Sequence, residues 1–352
     1  MYPQLSVIVT VYNCEKYIDR CLRSLLRQTC QCFEVILVNN GSTDESPAIL
    51  DRYAQKDSRF RVISQENLGV AGSRNSGLAA CAGEYVCFVD ADDYVDPTFC
   101  EVLLDAVKAY DCDLAVCDYA MTFRTWEISD VLNLKNETSD VSRMPEEIFY
   151  LRYIARNPVV WNKIYRRQML SDAGVRFEIH HGEDLLFHLR LLPYIKKVTT
   201  ISRTLYHYVQ RKSSAVHSLH EAGSRNVTII EAYIKGVHRN DGVMAFYAFS
   251  SIFIGFLSSA CCINQKIGYF MEQIRAMERA EFFRKFCKTI ALTDRLKGMY
   301  QEKAVSRKCY LIQKIQFGLC LLRWKFPAAV FMWLCSRLVI WKNRRLPKEQ
   351  FE

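Results

Sequence analysis

No glycine-rich phosphate loop follows the first apolar run of this chain. The turn after Leu5–Val11 reads TVYNCEKY, where a dinucleotide-binding Rossmann unit needs GxGxxG. A P-loop, GxxxxGK followed by Ser or Thr, is missing throughout. Any phosphate must therefore be held another way, by a carboxylate-bound metal and basic side chains. The 15 cysteines contain no pair of CxxC knuckles, and Cys30-x-Cys32 and Cys261-Cys262 fit no common metal pattern, which argues against a zinc finger. No signal peptide precedes the opening strand, and Cys87, Cys117, Cys320 and Cys335 sit inside apolar runs. These features predict reduced thiols in a cytoplasmic protein. No aromatic RNA motif or zinc module accompanies the basic residues, so nucleic acid is not an expected partner.

What is present is 352 residues, half of them hydrophobic, with a formal net charge of +9 unevenly distributed. Residues 1–120 carry 10 basic and 18 acidic groups; residues 121–352 carry 37 and 20. An acidic front and a basic back suggest different tasks for the two parts.

The front alternates strand and helix. Apolar strands are expected at Leu5–Val11, Phe33–Val38, Phe60–Ser64, Tyr85–Val89 and Leu114–Cys117. Between the first two, Ile18, Cys21, Leu22, Leu25 and Leu26 recur on one face of a helix. Ser42-Thr43-Asp44-Glu45 reads as a capping box opening the next helix, and Gly69–Cys81 as a small-residue helix able to pack closely. Asp96-Pro97 reads as the cap and first position of a helix running to Tyr110. This order predicts an α/β fold with a mostly parallel central sheet and helices on both faces. Its strand ends then place Thr10, Tyr12, Asn13, Asn39, Asn40, Glu66, Asn67, Asp90 and Asp92 along one edge, the usual crevice of such sheets. Residues 84–94, EYVCFVDADDY, matter most. An apolar strand delivers Asp90, Asp92 and Asp93 to that edge, and carboxylates two apart on extended chain can share a hard cation.

These motifs resemble the inverting family-2 glycosyltransferases of the nucleotide-diphospho-sugar transferase, or GT-A, fold. The matching pieces are SVIVTVYN at 6–13, EVILVNNGSTDES at 34–46, ENLGVAGSRNSGLAACAGEYVCFVDADDYVDP at 66–97, VVWNKIYRR at 159–167 and GEDLLF at 182–187. The resemblance spans roughly residues 4–215 and implies a catalytic domain over 1–215, followed by a helical region over 216–352. By position, it places Thr10 and Tyr12 at the nucleotide base and Arg74 at the nucleotide. Asp90 falls near ribose and sugar and, with Asp92, on a Mg²⁺ or Mn²⁺ ion. Asp184, beside Glu183, falls at the acceptor-activating carboxylate. Position 40 usually holds an acid that contacts uracil; here it is Asn40, whose amide both donates and accepts, and which before Gly41 also fits turn chemistry. Trp161 is a candidate sugar-stacking platform, with buried packing as the alternative. His207, Arg211 and Lys212, in a segment resembling the family's closing strand and loop, are candidate diphosphate contacts. The expected partners are a nucleotide-sugar donor and a glycan or lipid-linked glycan acceptor. A sugar nucleotidyltransferase shares the fold but usually carries the glycine-rich loop missing here, and a non-catalytic relic would not keep Asp90, Asp92 and Asp184.

Residues 121–145 are polar and aperiodic and read as a loop. Between Asp241 and Lys266 no residue is charged, which fits a buried helix or a membrane span. From Tyr310 to Trp341, Leu, Ile, Phe and Trp interleave with Lys314, Arg323, Lys325 and Arg337, a composition suited to peripheral contact with anionic membrane, and equally to a packed helical hairpin.

Overall fold

A computed structural model describes residues 2–123, 127–142, 158–178 and 183–210. Arg211, Lys212, the uncharged run and the basic aromatic tail lie outside the described residues.

The first four strands, β1 (Leu5–Val11), β2 (Phe33–Asn40), β3 (Phe60–Gln65) and β4 (Tyr85–Asp90), are all parallel, in the order β3-β2-β1-β4. Strands β1, β2 and β4 are buried along nearly their whole length because helices cover both faces, whereas the edge strand β3, FRVISQ, is buried fully only at Phe60. The helices between them are α1 (Ile18–Leu26), α2 (Ser46–Lys56) and α3 (Gly69–Ala80). Helix α1 buries the stripe Ile18, Cys21, Leu22 and Leu25, as its periodicity predicts. Helix α3 lies close on the sheet: a Cβ at Gly77 would come within 2.4 Å of Ile8 Cγ2.

Beyond β4 the pattern changes. A two-residue strand, β5 (Tyr94–Val95), precedes α4 (Phe99–Ala109) and β6 (Leu114–Thr122). Then come β7 (Glu127–Ile128), β8 (Glu137–Asp140), β9 (Lys163–Arg166), α5 (Arg167–Asp172), α6 (Glu183–Leu191) and the long β10 (Lys197–Val209). The sheet continues β4-β9-β6-β10-β5, with β7 on β6 and β8 on β10. Strand β9 runs antiparallel between β4 and β6, whereas β10 is parallel to β6. The result is one ten-stranded mixed sheet with a parallel half.

Three local expectations are corrected. Segment 121–145 is not merely loop, since it supplies the end of β6, β7 and β8. The Ser42–Glu45 segment opens α2 but not as a capping box: the helix starts at Ser46 after Glu45, which makes no side-chain cap, Ser42 Oγ accepts from Asn13 N, and Asp44 accepts from Glu15 N and from Ser46 N, the first N–H of the helix. Helix α4 starts at Phe99, two residues late, because Asp96 accepts from Thr98 N and Oγ and closes a turn ahead of it.

Candidate functional site

The ends of β1, β2 and β3 carry the nucleotide-side candidates. Thr10 lies in register between Val38 and Asp90. Tyr12 follows β1 and is 49% exposed, an open aromatic face rather than a core one. Asn13, at φ +49°, exchanges hydrogen bonds with the loop after β2: its N–H donates to Ser42 Oγ at 3.1 Å and its Oδ1 accepts from Thr43 N at 2.9 Å. Asp44 accepts from Glu15 N, and Glu15 in turn accepts from Glu45 N. Desolvation is the largest single influence on the Asp44 carboxyl and raises it, but hydrogen bonds from the Glu15 N–H and from the Ser46 hydroxyl and N–H together outweigh it and hold the group below its usual range. Asn40 is buried, and its amide makes four hydrogen bonds, all to residues 65–69.

The acidic side is built around Arg74. Small neighbours let α3 press this side chain into the sheet edge, where it is only 3% exposed. Its Nη2 reaches Asp90 at 3.3 Å, and its Nη1 reaches Glu183 at 3.0 Å and also Asp184. Three separate segments thus meet on one guanidinium: the end of β4, the start of α6 and the middle of α3. Arg74 was expected at the nucleotide; here it is ion-paired to carboxylates. The Asp184 carboxylate also accepts from Val160 N at 3.3 Å. Burial pushes Asp184 up to about 7; Arg74 opposes the rise, while Glu183 and Asp90 add to it. Glu183 is also raised, again by burial against the pull of Arg74.

The chain does not stay extended after Asp90. Asp93 N donates to Asp90 O at 3.1 Å, so residues 90–93 form a turn. Asp90 and Asp92, expected to share a cation from an extended chain, are therefore not on extended chain, and that turn sets how they lie to one another. Two groups fasten it. Arg20 donates to Asp92 O at 3.1 Å. Tyr206, fully buried on β10, accepts from Asp90 N at 3.1 Å and donates to Asp93 Oδ2 at 2.7 Å. Asp93 is fully buried and also accepts from Val209 N at 2.8 Å. Desolvation, reinforced by Asp90, pushes its carboxyl well above the usual range. Among the described residues no group of three His, Cys, Asp or Glu is arranged to hold a metal ion.

Behind Asp184 lies a second buried layer. His188, one turn along α6, places Nδ1 2.7 Å from the Asp184 carbonyl and Nε2 2.7 Å from Tyr165 Oη. A carbonyl only accepts, so Nδ1 carries the proton and Nε2 accepts from the tyrosine hydroxyl. Burial keeps this imidazole neutral by lowering its pKa well below the usual value. Lys163 is fully buried, with Nζ donating to Val159 O and Asn162 Oδ1. Burial pulls its ammonium down to about 7, against the attraction of Asp184.

Trp161 is not a sugar platform in this structure. It is 4% exposed and stacks on Tyr206 at 4.3 Å between centroids, with Tyr208 at 5.5 Å and Tyr119 edge-on at 4.9 Å. His207 stacks flat on Tyr94 at 4.4 Å and hydrogen-bonds Glu127 at 2.8 Å. The sequence alone brings Asp93 to the edge with no role of its own and assigns none to Tyr206 or Lys163. The third acid of DADD and a lysine inside the apolar run VVWNKIY were the available signals.

Known proteins carry the same arrangement of sequence. The model of glycosyl transferase family 2 matches residues 6–174. A putative glycosyltransferase, EpsH of Bacillus subtilis, is 34% identical over 278 residues, covering 75% of this chain and 77% of the relative. YibD of Escherichia coli, an uncharacterized glycosyltransferase, is 32% identical over 66% of this chain and 68% of its own. Among solved structures, Staphylococcus aureus TarS 1–349 in complex with UDP-GlcNAc superposes with a TM-score of 0.57 at 20% identity, over 89% of this chain and 91% of that one. The mannosyltransferase PcManGT of Pyrobaculum calidifontis, in complex with GDP-Man and Mn²⁺, gives 0.51 at 16% identity, over 99% and 89%. At such identities the structural likeness speaks for the fold alone. Joined to the relative that matches over three quarters of both lengths, it leaves one assignment: the chain belongs to glycosyltransferase family 2 and has the GT-A type of fold.

Proposed function

We propose that the enzyme moves a sugar from a nucleotide-diphospho-sugar, a UDP-sugar in the first instance, to a hydroxyl of a cell-envelope or exopolysaccharide glycan, with inversion at the anomeric carbon. The observation that carries this reading is the gathering of Asp90, Glu183 and Asp184 on Arg74 at the C-terminal edge of the parallel strands. Such an edge is where open α/β sheets bind ligands. Asp184 takes the role of base. Its carboxylate is anchored by the Val160 N–H and Arg74, and a pKa near 7 lets it accept a hydroxyl proton at neutral pH. Glu183 shares the guanidinium and keeps Arg74 oriented. Tyr12 and Thr10 line the base side.

Asp90 and Asp92 would hold a Mg²⁺ or Mn²⁺ ion. Two carboxylates are hard oxygen donors of the kind such an ion takes. When bound, such an ion would supply positive charge against a departing diphosphate. The chain's own part is to fix the turn bearing these acids, through Tyr206, Asp93 and Arg20. The basic aromatic tail supports peripheral attachment at the inner face of the plasma membrane, beside a lipid-linked acceptor.

A panel of UDP-, GDP- and TDP-sugars, each with and without Mn²⁺, tests the donor assignment by thermal shift. The expected result is metal-dependent stabilisation by at least one donor and slow hydrolysis of that donor, abolished in Asp92→Ala. No shift with any donor would overturn it.

A further inference from the structure

The residue at position 40 stands where the family usually has an acid, and the structure gives its asparagine a complete set of internal partners. Resting on the donor reading above, we propose that Asn40 is a positioning residue that locks the 65–69 loop, and that its side chain does not read the nucleobase. Preference among nucleoside diphosphates is then set elsewhere on the rim.

Asn40 is 3% exposed at the end of β2. Its Oδ1 accepts from Leu68 N at 3.0 Å and from Gln65 Nε2 at 2.9 Å. Its Nδ2 donates to Asn67 Oδ1 at 3.0 Å and to Gly69 O at 3.3 Å. An amide has two donor hydrogens and two acceptor positions, and all are used. The backbone settles which end is which: the oxygen must face the Leu68 N–H, and the nitrogen must face the Gly69 carbonyl. A base contact would have to break one of these bonds in a buried place, where an unmatched polar group is costly.

The rest of the loop is fitted to the same lock. Gly69 takes φ +70° and donates its N–H to Asn67 Oδ1 at 3.0 Å. Its carbonyl also accepts from Ser73 Oγ at 3.0 Å. Gly41 takes φ +75°, and a Cβ there would lie 3.0 Å from Asn67 N. An aspartate at position 40 would set a carboxylate oxygen against two acceptors, Asn67 Oδ1 and Gly69 O. The neutral amide is therefore what this loop requires. The lock also fixes Leu68, 55% exposed on one side of Asn40, relative to Tyr12, 49% exposed on the other.

The test compares wild type with Asn40→Asp and Asn67→Ala, the second removing an exposed partner where folding is not at risk. Hydrogen exchange is followed at the Leu68 and Gly69 amides without nucleotide, and UDP and GDP binding by calorimetry with Mn²⁺. The lock requires both variants to speed exchange at these amides roughly tenfold. It also requires Asn40→Asp to weaken UDP and GDP together, leaving their ratio unchanged. Unchanged exchange overturns the lock. Tighter UDP binding in Asn40→Asp with GDP unaltered overturns the claim that position 40 ignores the base. If wild type binds neither nucleotide, the donor reading fails, while the exchange rates still decide the lock.

Discussion

Two aspartates on one sheet edge titrate in opposite directions, and the contrast separates the two ends of the rim. Asp44, between the ends of β1 and β2, is surrounded by N–H donors and prefers to be ionised. Asp184, at the start of α6, is buried among other acids and holds a proton up to about pH 7. At the first end, partly exposed loops trade side-chain-to-backbone hydrogen bonds in small, separable steps. At the second, four charged side chains depend on one another, and none can be changed alone. The end at β1 and β2 is thus mechanically modular, while the end at Arg74 is a single electrostatic unit.

The largest effect that would sharpen this contrast is on activity. Asp184→Asn should lower kcat/KM by about 10²–10⁴, the usual worth of a general base, while donor binding measured by calorimetry stays close to wild type. Arg74→Ala comes next. It leaves three carboxylates facing one another in a buried place, and urea unfolding should show a loss of about 3–5 kcal/mol. Arg74→Lys should recover only part of this, since one ammonium cannot replace the planar fork.

A pH series distinguishes the two ends directly. Activity should fall on the acid side with a midpoint near 7, as Asp184 takes up its proton. The stability linkage runs the other way for this group. Its folded pKa lies above the unfolded value of about 3.9, so its contribution is full in acid and is lost as pH rises towards 7. Asp44 has the opposite sign: its contribution is present at neutral pH and lost in acid, below the ordinary carboxylate range. The smallest effect belongs to Ser42→Ala, which removes one acceptor from the Asn13 N–H and should cost about 0.5–1.5 kcal/mol by thermal unfolding, without moving the pH profile. A Ser42→Ala variant with a displaced pH profile would break the comparison.

The parallel half of the sheet was legible because each strand is a continuous apolar run followed by an amphipathic or small-residue helix. The second half was not. Strand β9 is four residues, KIYR, with a buried lysine at its start; β5 is two residues; and β8, reading ETSD, carries no apolar pattern at all. Strands β5 and β8 form because a long neighbour, β10, offers an edge to pair with, and β9 because β4 and β6 flank it, not because of their own propensity. At the site, types and order of residues could be read, but partners could not. Nothing in the sequence reveals that Asn40 is saturated, that Trp161 is enclosed by tyrosines, or that the acids of DADD lie on a turn. Those facts come from contacts between residues as many as 116 positions apart, as between Asp93 and Val209.

Arg74 lies three residues before Gly77 on α3, and the contact of Gly77 with Ile8 seats that helix. A single methyl group added there would act as a shim, meeting Ile8 at a separation that neither the helix nor the strand can keep unchanged. The depth at which the carboxylates are gathered is thus gauged by a side-chain hydrogen on the underside of α3, touching an isoleucine in the middle of the first strand. The setting of four charged groups extends down to a bearing surface on the far side of the helix that carries one of them.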